Sequence, residues 1–110
     1  MEVKTADNGG VTVLTPVGRV DTSTAKAFED SVMTAADKNK KVAISFNEID
    51  YISSAGLRVV LMLGKKLTAA KGVLALVNMP DKIFAVFKMS GFDKILKIYP
   101  TFEEAKPFFN

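Results

Sequence analysis

The chain has 110 residues, 48% of them hydrophobic and 25% charged, with a net charge of +3 and neither cysteine nor histidine. That is the size of one domain with a single core. Without cysteine there is no disulfide framework and no thiol chemistry, and a reducing compartment fits. Without histidine the usual general base and commonest metal ligand are missing, which excludes Ser-His and Cys-His catalysis and zinc sites within this chain. The positive charge is scattered, with no basic stripe interleaved with aromatics, so nucleic acid is not an expected partner. Lys38-Asn-Lys-Lys41 reads as a solvated helix end. No apolar run approaches the ~20 residues that span a bilayer. The expectation is a soluble, cytoplasmic protein with no membrane partner.

Glu2 to Ala6 reads as a strand, and Asp7-Asn8-Gly9-Gly10 as a hairpin turn in which glycine supplies positive φ. Val11 to Val17 alternates, placing Val11, Val13 and Val17 on one face, with Pro16 marking an edge or a strand end. Gly18 breaks this strand. Asp21-Thr22-Ser23-Thr24 then offers several caps for a helix to about Asp37, with Ala25, Phe28, Val32 and Ala35 or Ala36 at helical spacing. Val42 to Phe46 has the β-rich composition of a central strand, and Ile49 to Ile52 forms an apolar, strand-like approach to Ser53-Ser54.

Ala55 to Lys71 predicts a second helix, with Leu57, Val60, Leu61, Leu63, Gly64 and Leu67 on one wide face. Gly64 costs about 1 kcal/mol against alanine there, which points to close packing on a sheet. Val59 and Met62 fall on the opposite side, beside Arg58 and Lys66, and predict a small exposed partner surface. After Gly72, Val73 to Val77 is a continuous apolar run, as in a strand covered on both faces. Pro80-Asp81 opens a helix through Ile83, Phe84, Val86 and Phe87 that Gly91 stops. Ile95 to Tyr99 is a last strand, and Thr101-Phe-Glu-Glu104 is a capping box opening a short final helix. The order ββαβαβαβα predicts an α/β fold: one domain over residues 1–110, a mixed sheet of about five strands with about four helices packed on it.

Chemistry concentrates at Ser53-Ser54-Ala55-Gly56, between a strand and a helix start. The spacing is not that of a phosphate-binding loop ending in Gly-Lys-Ser/Thr, nor is there the Gly-x-Ser-x-Gly of a nucleophile elbow. One serine suits a helix cap. The other sits where a phosphate is well tolerated, because helix N-termini carry partial positive charge and open N–H donors. A hydroxyl modified by another enzyme needs no internal base.

The run Val42-Ala-Ile-Ser-Phe-Asn-Glu-Ile-Asp-Tyr-Ile-Ser-Ser-Ala-Gly-Leu-Arg58 resembles the signature of the STAS domain family, the anti-sigma factor antagonists (anti-anti-sigma factors). Gly18-Arg-Val-Asp21 and the stretch from Phe84 to Ala105 are similar to the family's outer elements. The resemblance implies an acceptor serine at Ser54, with Ser53 as the alternative because it stands where the family has aspartate. It implies a phosphorylatable binding module rather than an enzyme, with no cofactor and no metal. Unphosphorylated, the module would hold an anti-sigma factor of the GHKL-type serine kinase class. Phosphorylated, it would release it, and a PP2C-like phosphatase would restore binding, regulating transcription by partner switching. The implied partner face comprises Asp21, Thr22, Ser23, Ser53, Ala55, Gly56, Arg58, Val59 and Met62 on a monomer. A STAS regulator of a non-sigma process such as secretion or biofilm formation, or a STAS domain binding a nucleotide or small ligand, stays open beside it.

Overall fold

A computed structural model describes residues 1–110. Strands β1 (Val3–Asn8) and β2 (Val11–Pro16) form an antiparallel hairpin whose turn residues Gly9 and Gly10 have φ of 62° and 88°. Next come β3 (Gly18–Val20), α1 (Ala25–Lys38), β4 (Lys41–Ser45), β5 (Ile49–Ile52) and α2 (Ser54–Ala69). The chain continues through β6 (Val73–Val77), α3 (Asp81–Met89), a 3-10 turn at Phe92–Lys94, β7 (Lys97–Tyr99), α4 (Phe102–Ala105) and a closing 3-10 turn at Lys106–Phe109. The main sheet has the order β1-β2-β4-β6-β7, and every pair after the hairpin is parallel. Parallel neighbours need crossovers. Here α1, α2 and α3 supply them.

Alternation along the central strands sorts the core into two parts. Val42 and Ile44 of β4, with Leu74 and Leu76 of β6, join Phe28 and Val32 of α1, Val60 and Leu63 of α2, and Ile83 and Phe87 of α3. The intervening Ala43, Ala75 and Val77 face the other way, under Ala105 of α4 and Phe109. So β6 is covered on both faces, as its unbroken apolar run predicts. The mixed five-strand sheet with four helices agrees with the fold class read from the sequence.

Three local expectations change. The region after Gly18 is a strand, not a mere break. Gly18, at φ 95°, turns the chain away from β2, and its N–H donates to the Glu48 carbonyl (2.9 Å). This starts a separate parallel pair, β3–β5. The last strand is shorter than Ile95 to Tyr99, because the Leu96 N–H bonds back to the Phe92 carbonyl and leaves Ile95 exposed. Of the two readings of Pro16, the strand end holds and is no change, since the β2–β4 register stops at Leu14.

The third change concerns the expected partner surface. Val59 is buried at 4% exposure and belongs to the main core, whereas Met62 is exposed. The reason is α1, which packs alongside α2 and covers a second side of it. Lys66, seven residues beyond Val59 and so on the same side of the helix, reaches Asp37 of α1 at 2.8 Å. Gly64 behaves as expected: a Cβ there would lie 3.3 Å from Leu96 Cδ2 and 3.7 Å from Leu74 Cδ2.

Candidate functional site

The two adjacent serines receive different backbone environments. Ser53 is extended (φ −91°, ψ 175°), and its hydroxyl accepts from the Gly56 N–H at 3.4 Å, the geometry of an N-cap. Its own N–H donates to the Val20 carbonyl at 2.8 Å, tying the start of α2 to the end of β3. Ser54 is the first residue of α2 and is exposed, while Ser53 is half-buried. Of the two hydroxyls, only that of Ser53 makes a hydrogen bond within the chain.

Gly56 explains how closely the helix start is seated. A Cβ there would come within 2.7 Å of Val20 Cγ1 and 2.8 Å of Ile52 Cγ1, so only glycine lets the first turn rest on the β3–β5 pair. Asp21 follows directly on β3. Its Oδ1 accepts from the Ser23 hydroxyl (2.6 Å), the Ser23 N–H (2.9 Å) and the Thr24 N–H (3.2 Å). The Ser23 hydroxyl does most to hold the Asp21 pKa below the ordinary 3.8; desolvation opposes it, and the Ser23 and Thr24 donors add to it. Asp21 is therefore an ionised turn-former ahead of α1. It is not the residue next to the helix, since α1 begins at Ala25.

The Ser53–Val20 bond thus brings the Asp21-Thr22-Ser23 loop and Ser53-Ser54 to one edge of the molecule. Thr22 and Ser23 are exposed there. Arg58 and Met62, four and eight residues after Ser54, continue the edge as an exposed stripe along α2. Ala55 is half-buried, and Gly56 and Val59 are buried. Gly56 serves packing, and Val59 offers no surface. Cavities of about 630 and 560 Å³ lie elsewhere, beside Gly64 and Leu96 and beside Phe84 and Tyr99.

Two side chains that sequence reasoning left out lie on the β3–β5 pair that seats the start of α2. Arg19 and Tyr51 are register partners across β3 and β5, and the guanidinium carbon lies 4.3 Å from the ring centroid. No periodicity signals such a pair, because it depends on a ladder between segments separated by α1.

The family model of the STAS domain matches residues 2–105, and the chain belongs to the STAS domain family. Its relatives include BtrV of Bordetella bronchiseptica, provisionally assigned as an anti-sigma factor antagonist. The two are 38% identical over 76% of this chain and 70% of that one. The anti-sigma-F factor antagonist RsfB of Mycobacterium tuberculosis is 26% identical over 94% of this chain and 84% of that one. A crystal structure of a Thermotoga maritima protein with the same provisional assignment superposes with a TM-score of 0.90 at 25% identity. That match covers 97% of this chain and 93% of the other. No helix here is long and apolar enough to cross a membrane.

Proposed function

We propose that this protein is an anti-sigma factor antagonist whose grip on its partner is switched by phosphorylation of Ser54. Unmodified, it binds an anti-sigma factor that is also a GHKL-type serine kinase; phosphorylated, it lets go; a PP2C-like phosphatase resets it. The observation that carries this reading is the division of labour at the helix start. Ser53 caps α2, and Ser54 stands exposed with no task in the fold.

The physics of the switch follows from that position. A phosphoserine adds about −1.5 to −2 charges. At the first residue of a helix the dipole favours that charge by roughly 0.3–1 kcal/mol, so the modified chain stays folded. Against a partner carboxylate at ~5 Å, an effective dielectric of 20 gives about 3 kcal/mol of repulsion per charge pair. Each 1.4 kcal/mol is about tenfold in affinity. One phosphate therefore suffices to weaken binding about a hundredfold without refolding anything.

The test uses a purified GHKL-type anti-sigma factor kinase from the same organism, with binding measured by calorimetry and phosphate mapped by mass spectrometry. Phosphate is expected on Ser54. Ser54→Ala should bind and accept none, and Ser54→Asp should bind at least tenfold more weakly. Phosphate mapped to Ser53 would overturn the assignment, and wild-type affinity in Ser54→Asp would overturn the mechanism.

A further inference from the structure

Binding energy at protein interfaces concentrates in a few residues, with tyrosine and arginine over-represented among them. With Val59 withdrawn into the core, the large apolar side chains left exposed on α2 and the β3–β5 pair are Tyr51 (41%) and Met62 (39%). Tyr51 does not stand alone. Arg19 stacks on its ring at 4.3 Å and keeps 59% of its own side chain exposed. Arg19 Nε forms an ion pair with Asp21 Oδ2 at 3.6 Å, too long for a hydrogen bond. The other Asp21 oxygen is already occupied by Ser23 and Thr24. The guanidinium is thus ordered by the ring beneath it and steered by a neighbouring charge, while none of its N–H donors is spent within the chain.

We infer that Arg19, held on Tyr51, is a carboxylate-binding anchor of the partner face, receiving an aspartate or glutamate side chain of the protein partner. This rests on the partner-binding reading above and names the chemistry of its contact. A guanidinium fork matches a carboxylate through two parallel hydrogen bonds. Stacking orders the long side chain before the partner arrives, so less freedom is lost on binding. The location is right for a role in recognition. The carbonyl of Val20, next to Arg19, accepts from Ser53, and Tyr51 precedes Ser54 by three residues on the strand that runs into α2. A lysine would supply the charge but neither the plane nor the fork.

The experiment measures binding of the unphosphorylated chain to the purified kinase for the wild type, Arg19→Ala, Arg19→Lys, Tyr51→Phe, Tyr51→Leu and the double variant Arg19→Ala/Tyr51→Leu. Thermal unfolding is followed in parallel. Arg19→Ala should raise Kd about 30-fold, in the range of an interface hot spot, and Arg19→Lys should recover little of it. Tyr51→Phe, which keeps the ring, should bind within about twofold of wild type, and Tyr51→Leu about tenfold more weakly. The double variant should be no weaker than Arg19→Ala alone, because the ring acts through the guanidinium. Wild-type affinity should also fall with added salt more steeply than that of Arg19→Ala. Arg19→Ala or Arg19→Lys binding within twofold of wild type would overturn the inference. So would lowered unfolding temperatures with unchanged Kd, which mark a structural pair. A wild-type chain that binds no such kinase fails the functional reading itself, and the anchor falls with it.

Discussion

Ser53 and Ser54 carry the same hydroxyl and differ only in the backbone around them. One is extended and points its oxygen at the open N–H of Gly56; the other has entered the helix and faces solvent. Replacing Ser53 by alanine should cost about 0.5–1 kcal/mol, the low end for a lost cap because its bond is long at 3.4 Å. Ser54→Ala should stay within about 0.5 kcal/mol of wild type. Thermal or urea denaturation of the two variants checks this, and equal losses would contradict the division of labour. That a cap and an acceptor share this dipeptide is legible from residue type, but which serine does which depends on where the helix begins.

Asp21 belongs to the same scale. Its carboxyl titrates below the ordinary 3.8 in the folded chain, chiefly through the Ser23 hydroxyl. A depressed folded pKa contributes stability above the unfolded value, and that contribution is lost as pH falls through the folded one. Asp21→Asn should therefore be less stable than wild type at neutral pH, with the gap closing in acid below pH 3.8. Urea midpoints at the two pH values test the sign.

At the scale of elements, α2 is clasped on three sides: by the sheet, by the β3–β5 pair under its first turn and by α1 along its flank. Its two glycines report different constraints. Gly56→Ala would press a methyl to 2.7 Å from Val20 Cγ1, and the resulting overpacking should cost about 1–3 kcal/mol. Gly64→Ala would meet the flexible end of Leu96 at 3.3 Å. There a helix-propensity gain of up to about 1 kcal/mol offsets the crowding, leaving a change near zero. A urea series showing Gly64→Ala as the worse of the two would contradict this packing. The helical wheel of α2 placed Leu57, Val60, Leu63 and Leu67 in the core correctly, whereas Leu61 is only half-buried and lies outside the core. It misplaced Val59 because a wheel describes one helix and holds no information about a second helix lying against it.

On the scale of the whole molecule, the sheet has two apolar faces and an uneven supply of cover. Three crossover helices shield one face, and α4 with the closing 3-10 turn shields the other through Ala105 and Phe109. Phe109 is 4% exposed and lies under no further layer of helix, so Phe109→Ala should cost about 3–5 kcal/mol. A chemical denaturation midpoint unchanged by this substitution would show the second face to be stable without it.

Much of this architecture was legible along the chain because it is written in local periodicity. Alternation marked Val11 to Val17, of which Val11–Pro16 forms the strand, an unbroken apolar run marked the doubly covered β6, and Thr101 to Glu104 announced the last helix through a cap that forms, Thr101 Oγ1 accepting from the Glu104 N–H. The run from Val42 to Arg58 carried the resemblance to the family, which the family model bears out, and drew attention to Ser53-Ser54 within it. Residue type and spacing decide these features, since a helix or strand needs only its neighbours in sequence. Tertiary structure alone decided the β3–β5 ladder, the burial of Val59, the seating of Gly56 on Val20 and Ile52, and the stacking of Arg19 on Tyr51. Each of these is a contact between segments far apart in the chain, where geometry rather than local pattern chooses the partner.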